Sequence, residues 1–301
     1  MQLGMVGLGR MGDGMRRRLQ DAGHEVVGYD RDPALSDVPD LAGLVSRLAP
    51  PRVVWLMVPA AVTTTVVGAL AELLGSGDVV VDGGNSSFRE DAPRADRLAT
   101  RGVGYLDVGV SGGVWGYEYG YALMVGGEPE PVRRCGPLFE ALKPAGPFGL
   151  VHAGGVGAGH YAKMVHNGIE YGVMQAYAEG YELLVRSETV ADPAGVLKSW
   201  RSGTVIRSWL LDLLDRALDS DPDLVEVGGR VADTGEGRWT VEEAIRLAVP
   251  LNTIAAALFA RFASRQDDSP AMKAVAALRQ QFGGHGQAGH GDPGGDPGGG
   301  R

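Results

Sequence analysis

The chain has 301 residues, enough for two domains that each bury a core. Its hydrophobic fraction of 44% and charged fraction of 22% exclude a disordered or fibrous protein outside the C-terminal end. A formal net charge of −9 argues against nucleic acid or an anionic membrane as the main partner, so an anionic substrate would need a local cluster of cations. The single cysteine, Cys135, cannot form an intrachain disulfide, and no signal peptide or membrane-spanning stretch is evident, so we expect a cytoplasmic protein.

The first half of the chain alternates β-branched runs with helical segments, which predicts a parallel sheet covered by helices on both faces. The predicted strands are residues 3–6, 25–29, 53–58, 79–81, 105–110 and 122–125. The predicted helices between them are residues 11–22, 63–74 and 93–100. We therefore assign residues 1–158 to an α/β, Rossmann-type, doubly wound dinucleotide-binding domain.

The second half has apolar residues at helical spacing. Residues 161–185 predict one long helix, and shorter helices are predicted at 193–200, 204–218, 241–264 with a kink at Pro250, and 271–281. We assign residues 159–282 to an all-α substrate and oligomerisation domain. Residues 283–301, rich in glycine, proline and aspartate, are predicted to form a flexible tail.

A dinucleotide signal lies between the first two predicted strands. Gly7, Gly9 and Gly12 have the G-x-G-x-x-G spacing, directly after a strand and at the start of a helix. Asp30 follows at the end of the second strand, where a carboxylate accepts hydrogen bonds from the adenosine ribose. Asp30 favours NAD, whereas Arg31 could pair with the 2′-phosphate of NADP, so NADP stays possible. Val58, ending the third strand, is a further candidate for the cofactor site.

The long predicted helix has a polar stripe. Its members are spaced i, i+3, i+4 and i+7 and therefore share one face: Lys163, His166, Asn167 and Glu170. A lysine and a glutamate on one face form an acid–base pair if their surroundings shift their pKa values toward neutrality. The alternative is an ordinary solvated face.

A second glycine-rich turn follows the fifth predicted strand. Ser111, Gly112 and Gly113 offer a hydroxyl and bare backbone amides suited to a carboxylate, although an ordinary turn at the end of a strand has the same composition.

These motifs together resemble the decarboxylating 6-phosphogluconate dehydrogenases. The segments that carry the resemblance are Gly7–Gly12, Asp82–Ser86, Val110–Gly113, Lys163–Tyr171 and Gly237–Thr240. The Lys-x-x-His-Asn-x-x-Glu-Tyr run is specific, because the broader β-hydroxyacid dehydrogenase superfamily usually lacks the Glu-Tyr continuation. The chain resembles the shorter bacterial branch of the family, which commonly prefers NAD.

The resemblance implies a role for each matching residue. Lys163 would take the proton of the substrate 3-hydroxyl, and Glu170 would protonate C1 of ribulose 5-phosphate after loss of CO2. The positions that hold the substrate carboxylate and hydroxyls are matched by Ser111, Gly112, Gly113, His166 and Asn167. The phosphate-binding positions are matched by Tyr171, Arg238, Thr240 and Arg261, and those lining the nicotinamide by Met11 and Asn85.

The sequence leaves alternatives open. Arg238 and Arg261 could be solvated or paired with Glu242 or Asp267. The enzyme could instead oxidise a short β-hydroxy acid such as 3-hydroxyisobutyrate, or the chain could be a non-catalytic NAD(H)-binding sensor. We expect a homo-oligomer, a dimer or tetramer, because the long helix has an apolar side that needs cover. We assign no metal site.

Overall fold

The computed structural model describes residues 1–281 and contains a seven-stranded sheet followed by a helical region. The strands are β1 (Gln2–Val6), β2 (Glu25–Tyr29), β3 (Val53–Leu56), β4 (Val79–Asp82), β5 (Gly104–Ser111), β6 (Ala122–Gly127) and β7 (Leu150–Gly154). The strand order is β2-β1-β3-β4-β5-β6-β7, and neighbouring strands are parallel except β5 and β6.

Helices cover both faces of the sheet and continue beyond it. In the sheet region they are α1 (Arg10–Asp21), α2 (Leu41–Ser46), α3 (Ala60–Leu73), α4 (Asp91–Ala99), α5 (Gly116–Tyr119) and α6 (Pro129–Leu142). The helical region contains α7 (Ala158–Arg186), α8 (Pro193–Trp200), α9 (Trp209–Ser220), α10 (Glu236–Leu247), α11 (Asn252–Ala263) and α12 (Pro270–Gln281). The predicted doubly wound sheet and all-helical second region are confirmed.

The continuous apolar runs of the central strands fill two cores. Successive side chains of a strand point to opposite faces, so Val53 and Trp55 join the core under α1 and α6. Val54 and Leu56 join the core under α2, α3 and α4. A strand covered on both faces needs no polar positions, which explains why β3 and β4 lack the alternating pattern of a half-exposed sheet.

Helix α7 packs against β5, β6 and β7 on one side and against α10 and α11 on the other. It lies close to the sheet because two glycines remove side chains from the contact. A Cβ on Gly159 would lie 2.4 Å from the Met124 carbonyl oxygen, and one on Gly109 would lie 2.4 Å from the Lys163 Cβ. The close packing fixes the lysine against the end of the sheet.

Two predicted helices have different bounds in the structure. The single kinked helix predicted at 241–264 is wrong, because α10 ends at Leu247 and α11 begins at Asn252. Ala248 takes a left-handed conformation with φ of 57°, and Pro250 follows, so the chain turns instead of bending within one helix. The helix predicted from residue 204 begins at Trp209, where the Ser208 hydroxyl accepts a hydrogen bond from the Leu211 N–H at 3.2 Å.

The sequence prediction also omitted α2, α5, α6 and the edge strand β7. The predicted tail at 283–301 and residue 282 of the second predicted domain lie outside the described residues. The domain boundary at 158/159 stays a prediction. Within residues 1–281 no helix has the length and apolar character needed to cross a membrane, and the cytoplasmic location also stays a prediction.

Candidate active site

The glycine-rich turn between β1 and α1 leaves room for a phosphate. A Cβ on Gly12 would lie 1.9 Å from the Gly7 carbonyl oxygen, so α1 can start against the turn only if this residue is glycine. A Cβ on Gly9 would have no heavy atom of the described residues within 4 Å. The N-terminus of α1 therefore faces open space bordered by backbone, the arrangement that receives a pyrophosphate.

Three further predicted cofactor residues adjoin this turn. Asp30 follows β2, and its Oδ2 accepts a hydrogen bond from the Leu8 N–H at 2.7 Å. Val58 Cγ1 lies 3.1 Å from the place of a Cβ on Gly7, and Met11 lies half-buried in the first turn of α1. Arg31 is exposed. These residues fit a dinucleotide whose adenosine ribose lies beside Asp30.

The loop after β4 presents Asn85 at the same edge of the sheet. The buried carboxylate of Asp82 holds this loop, accepting hydrogen bonds from the Gly84 N–H at 3.0 Å and the Ser86 hydroxyl at 3.0 Å. Asn85 itself is exposed. The amide is thus placed for a ligand at the carboxyl ends of the strands, where doubly wound sheets bind their ligands.

The predicted polar stripe of α7 is a connected group of side chains. Lys163 Nζ donates to Asn167 Oδ1 at 2.8 Å, and His166 Nδ1 lies 3.1 Å from the same oxygen. Glu170 Oε2 lies 3.8 Å from His166 Nδ1, and its side chain is half-exposed. The helical spacing therefore brings an amine and a carboxyl to one face, as predicted.

The surroundings of Lys163 change its basicity. Burial lowers the pKa of its ammonium group, and the negative charges of Glu170 and Glu236 oppose that shift. A lowered pKa increases the share of neutral amine at physiological pH. A neutral amine that shares a helix face with an accessible carboxyl group can exchange protons with a substrate bound along that face.

Strand β5 leads to the second glycine-rich turn beside the lysine. Gly109 packs against Lys163, and Ser111 lies two residues further along the strand, on the same face. Gly112 and Gly113 have φ angles of 137° and 55°, which favour glycine, and both are exposed. The turn thus brings the hydroxyl and free backbone toward the Lys163 end of α7.

A cationic cluster lies at the Tyr171 end of the stripe. The Arg261 guanidinium stacks 3.5 Å from the centre of the Tyr171 ring and donates to the Ala232 carbonyl at 3.1 Å. Arg238 donates to both oxygens of Asp233, at 2.5 and 3.1 Å. Arg265 donates to Asp233 at 3.0 Å. Two of these three guanidinium groups share one carboxylate, so the cluster keeps a net positive charge for an anion.

The carboxylates considered as alternative partners of Arg238 and Arg261 pair elsewhere, and Arg238 pairs with Asp233. Neither Glu242 nor Asp267 pairs with Arg238 or Arg261 in the described chain; Glu242 pairs with Arg89 and Asp267 with Arg230. The hydrogen bond from Arg238, helped by Arg265, lowers the pKa of Asp233 to about 2 against the opposing effect of burial. Asp233 is therefore ionised at any physiological pH and orients both arginines.

Thr240 has a different place from the one its motif implied. Its side chain is buried, and its hydroxyl contacts the carbonyl oxygens of Met164 at 3.0 Å and Glu236 at 2.8 Å. Its methyl group fills the space left by Gly168 of α7. The described contacts are those of a residue that fixes α10 to α7, because the single hydroxyl proton is used inside the protein.

Two family models of known proteins match this chain. Residues 2–145 match the model of the NAD binding domain of 6-phosphogluconate dehydrogenase, and residues 159–288 match that of its C-terminal domain. The chain belongs to the 6-phosphogluconate dehydrogenase family.

Individual relatives agree with this assignment. The NAD(+)-dependent, decarboxylating 6-phosphogluconate dehydrogenase of Haloferax volcanii is 45% identical over 95% of this chain and 98% of its own length. The NAD(+)-dependent, decarboxylating 6-phosphogluconate dehydrogenase of Bacillus subtilis is 34% identical over 87% of this chain and 61% of its own. The solved 6-phosphogluconate dehydrogenase of Plasmodium falciparum is 25% identical, with a TM-score of 0.81 over 98% of this chain and 67% of its own.

In this member of the 6-phosphogluconate dehydrogenase family, the sequence prediction missed a buried histidine in the first turn of α7. His160 precedes Lys163 by one helical turn, and its Nδ1 lies 2.8 Å from Asp91 Oδ2. The i−3 spacing from the lysine was the available signal. Its carboxylate partner is 69 residues away along the chain, so that contact depends on the tertiary fold. Arg265 and Glu236 were also missed.

Proposed function

We propose that this protein catalyses the NAD-dependent oxidative decarboxylation of 6-phosphogluconate to ribulose 5-phosphate and CO2. The observation that carries the proposal is the distance between two chemically different ends of one site. Lys163 and Tyr171 are eight residues apart on α7, about 12 Å along the helix axis, and Tyr171 borders the stripe. The first end has the amine of Lys163, the second has the arginine cluster, and Glu170 lies on the same face beside Tyr171.

A substrate that engages both ends must have a reactive hydroxy acid and a distant anion joined by several carbon atoms. 6-Phosphogluconate has this form. A short acid such as 3-hydroxyisobutyrate has no group that would reach Arg238 and Arg261. The guanidinium groups, oriented by Asp233 and by the Tyr171 ring, suit a phosphate because each can donate two parallel hydrogen bonds.

Lys163 and Glu170 carry the proton transfers of the reaction. The neutral amine of Lys163 accepts the proton of the 3-hydroxyl, and a bound nicotinamide would supply the hydride acceptor for C3. The C1–C2 bond then breaks and CO2 leaves, while Lys163 returns its proton to the C3 oxygen, so an enediol forms. Glu170 donates a proton to the former C2, which becomes C1 of ribulose 5-phosphate, and Lys163 takes the proton of the C3 enol hydroxyl, which yields the ketone. Asn167 holds Lys163 in place through its 2.8 Å hydrogen bond.

The remaining predicted residues have binding roles in this proposal. Ser111 and the turn at Gly112 and Gly113 would hold the substrate carboxylate, with His166 and Asn167 on its hydroxyls. The cofactor would lie along Gly7, Gly9, Met11, Gly12, Asp30, Val58 and Asn85. NAD is favoured because Asp30 would repel a 2′-phosphate, and the names of two relatives specify NAD(+).

Purified protein with 6-phosphogluconate labelled with ¹³C at C1 tests the proposal. We expect NADH and labelled CO2 in equal amounts, with gluconate, which lacks the phosphate, a far poorer substrate. Absence of both products would overturn the proposal. Faster turnover of 3-hydroxyisobutyrate would favour the short β-hydroxy acid alternative, and NADH binding without turnover of either acid would favour a sensor.

A further inference from the structure

Glu236 is a buried carboxyl group to which the reaction above gives no part. It is the first residue of α10, and only 2% of the residue is exposed to solvent. Within residues 1–281 its Oε2 has no hydrogen-bond partner. A buried carboxyl oxygen without a partner is costly to stability, so its presence needs a physical reason.

The backbone holds Glu236 against the catalytic helix. The Thr240 hydroxyl contacts both the Glu236 carbonyl and the Met164 carbonyl, so residue 236 lies beside the residue that follows Lys163. On the other side, a Cβ on Gly237 would lie 2.5 Å from the Tyr171 ring. The first turn of α10 is therefore fixed to α7 between the lysine and the arginine cluster.

Glu236 lies among two cations of α7. Burial raises the pKa of Glu236 to about 7, and the positive charges of Lys163 and His160 oppose that shift. His160 in turn faces Asp91, Asp82 and Asp107 from the sheet region.

The other charged group acting on Lys163 is Glu170, on its own helix. Asn167, its hydrogen-bond partner, is neutral. Of the two carboxylates that raise the pKa of the amine, Glu170 has the larger effect and Glu236 the smaller. Glu170 is half-exposed, whereas Glu236 is buried, so water has less access to the charge of Glu236.

We propose that Glu236 is a positioning residue for Lys163, a buried carboxylate that controls how readily the lysine gives up its proton. This inference rests on the proposed function for its catalytic meaning. When Glu236 is ionised it favours the ammonium form of Lys163, and when it is protonated or replaced by an amide the lysine is neutral at lower pH. The carboxylate thereby keeps the lysine able to carry the proton that it must return to the C3 oxygen.

A lysine titration tests this directly, because the chain has only four lysines: Lys143, Lys163, Lys198 and Lys273. With ¹³C-labelled lysine, the Cε signal of Lys163 can be assigned from the Lys163→Ala variant and followed by NMR as the pH is raised. In Glu236→Gln we expect the titration midpoint of Lys163 to fall by about one pH unit. The acidic limb of kcat/KM for 6-phosphogluconate should move in the same direction. Glu236→Asp, which keeps the charge, should keep both values near those of the wild type.

Glu243→Gln is the matched control, because Glu243 is a buried carboxylate on the same helix that pairs with Arg246 and Arg89. It should reduce stability without moving the Lys163 midpoint. If the midpoint is the same in wild type and Glu236→Gln, the inference is overturned and Glu236 only complements the N-terminus of α10. Wild-type protein that fails to oxidise 6-phosphogluconate would overturn the proposed function, while the lysine titration would still decide the role of Glu236.

Discussion

His160 and Asp91 form a buried pair that joins the first turn of α7 to the first turn of α4, with 2.8 Å between Nδ1 and Oδ2. Tyr105 also donates to Asp91 at 2.8 Å, and Arg94 lies 3.7 Å from it. This contact links the helix that holds Lys163 to the sheet region that holds the glycine turns.

The pair makes stability depend on pH. Burial alone would lower the pKa of His160, but the hydrogen bond and charge of Asp91, with Asp82 and Asp107, raise it to about 9. A histidine whose pKa is raised on folding stabilises the fold fully below its unfolded value, about 6.5, and this contribution is lost as the pH rises through 9.

His160→Asn should therefore lower the free energy of unfolding by about 3 kcal/mol at pH 6, and by clearly less at pH 9.5. Urea denaturation at the two pH values measures the difference. An equal loss at both would show that the imidazole is uncharged in the folded protein.

Replacing the arginines should affect substrate binding more than chemistry. For Arg238→Ala and Arg261→Ala we expect the KM for 6-phosphogluconate to rise about tenfold to a hundredfold, because each variant loses charged hydrogen bonds to the phosphate. The change in kcat should be smaller. Arg230→Ala is the control, because Arg230 is exposed and pairs with Asp267. A KM that hardly changes in Arg238→Ala would remove the phosphate assignment and favour a short β-hydroxy acid.

Asp30 should determine the choice of coenzyme. Its carboxylate lies at the glycine turn, held by the Leu8 N–H, where it can accept from a ribose hydroxyl and repel a 2′-phosphate. For Asp30→Ser we expect the ratio of kcat/KM for NAD to that for NADP to fall at least about tenfold. Asp32→Ser, at an exposed neighbour, is the control. The same ratio in wild type and Asp30→Ser would contradict this role.

We expect self-association because α7 leaves apolar side chains exposed. Ile169 is 55% and Leu183 73% exposed, and further apolar groups are exposed on α11 and α12. We expect light scattering at micromolar concentration to give the mass of a dimer or tetramer, and Leu183→Asp to shift the protein toward monomer. A monomeric wild-type protein would contradict this prediction.

Local patterns predicted most of the framework. The glycine spacing and the apolar runs identified the sheet, and the helical period placed Lys163, Asn167 and Glu170 on one face, because these signals depend only on neighbours in the chain. Pro250 alone did not predict that α10 ends at Leu247, because a proline can either bend a helix or end it. The left-handed conformation of Ala248 is what ends the helix here.

Contacts between distant segments were outside the reach of the sequence patterns. Asp233 orients Arg238 and Arg265, yet carboxylates such as Glu242 and Asp267 were equally plausible partners on the basis of spacing. The buried position of Glu236 depends on how α10 meets α7, and nothing in its own segment distinguishes it from a glutamate that complements a helix N-terminus.

The Lys163→Ala variant is the most direct test of the proton exchange assigned to α7. With 6-phosphogluconate and NAD we expect kcat to fall at least about a thousandfold, while the Kd for NADH and the urea midpoint stay near the wild-type values. Lys198→Ala, at an exposed lysine that pairs with Asp219, should keep full activity. Turnover by Lys163→Ala at the wild-type rate would show that another group removes the proton and would contradict the account given for this site.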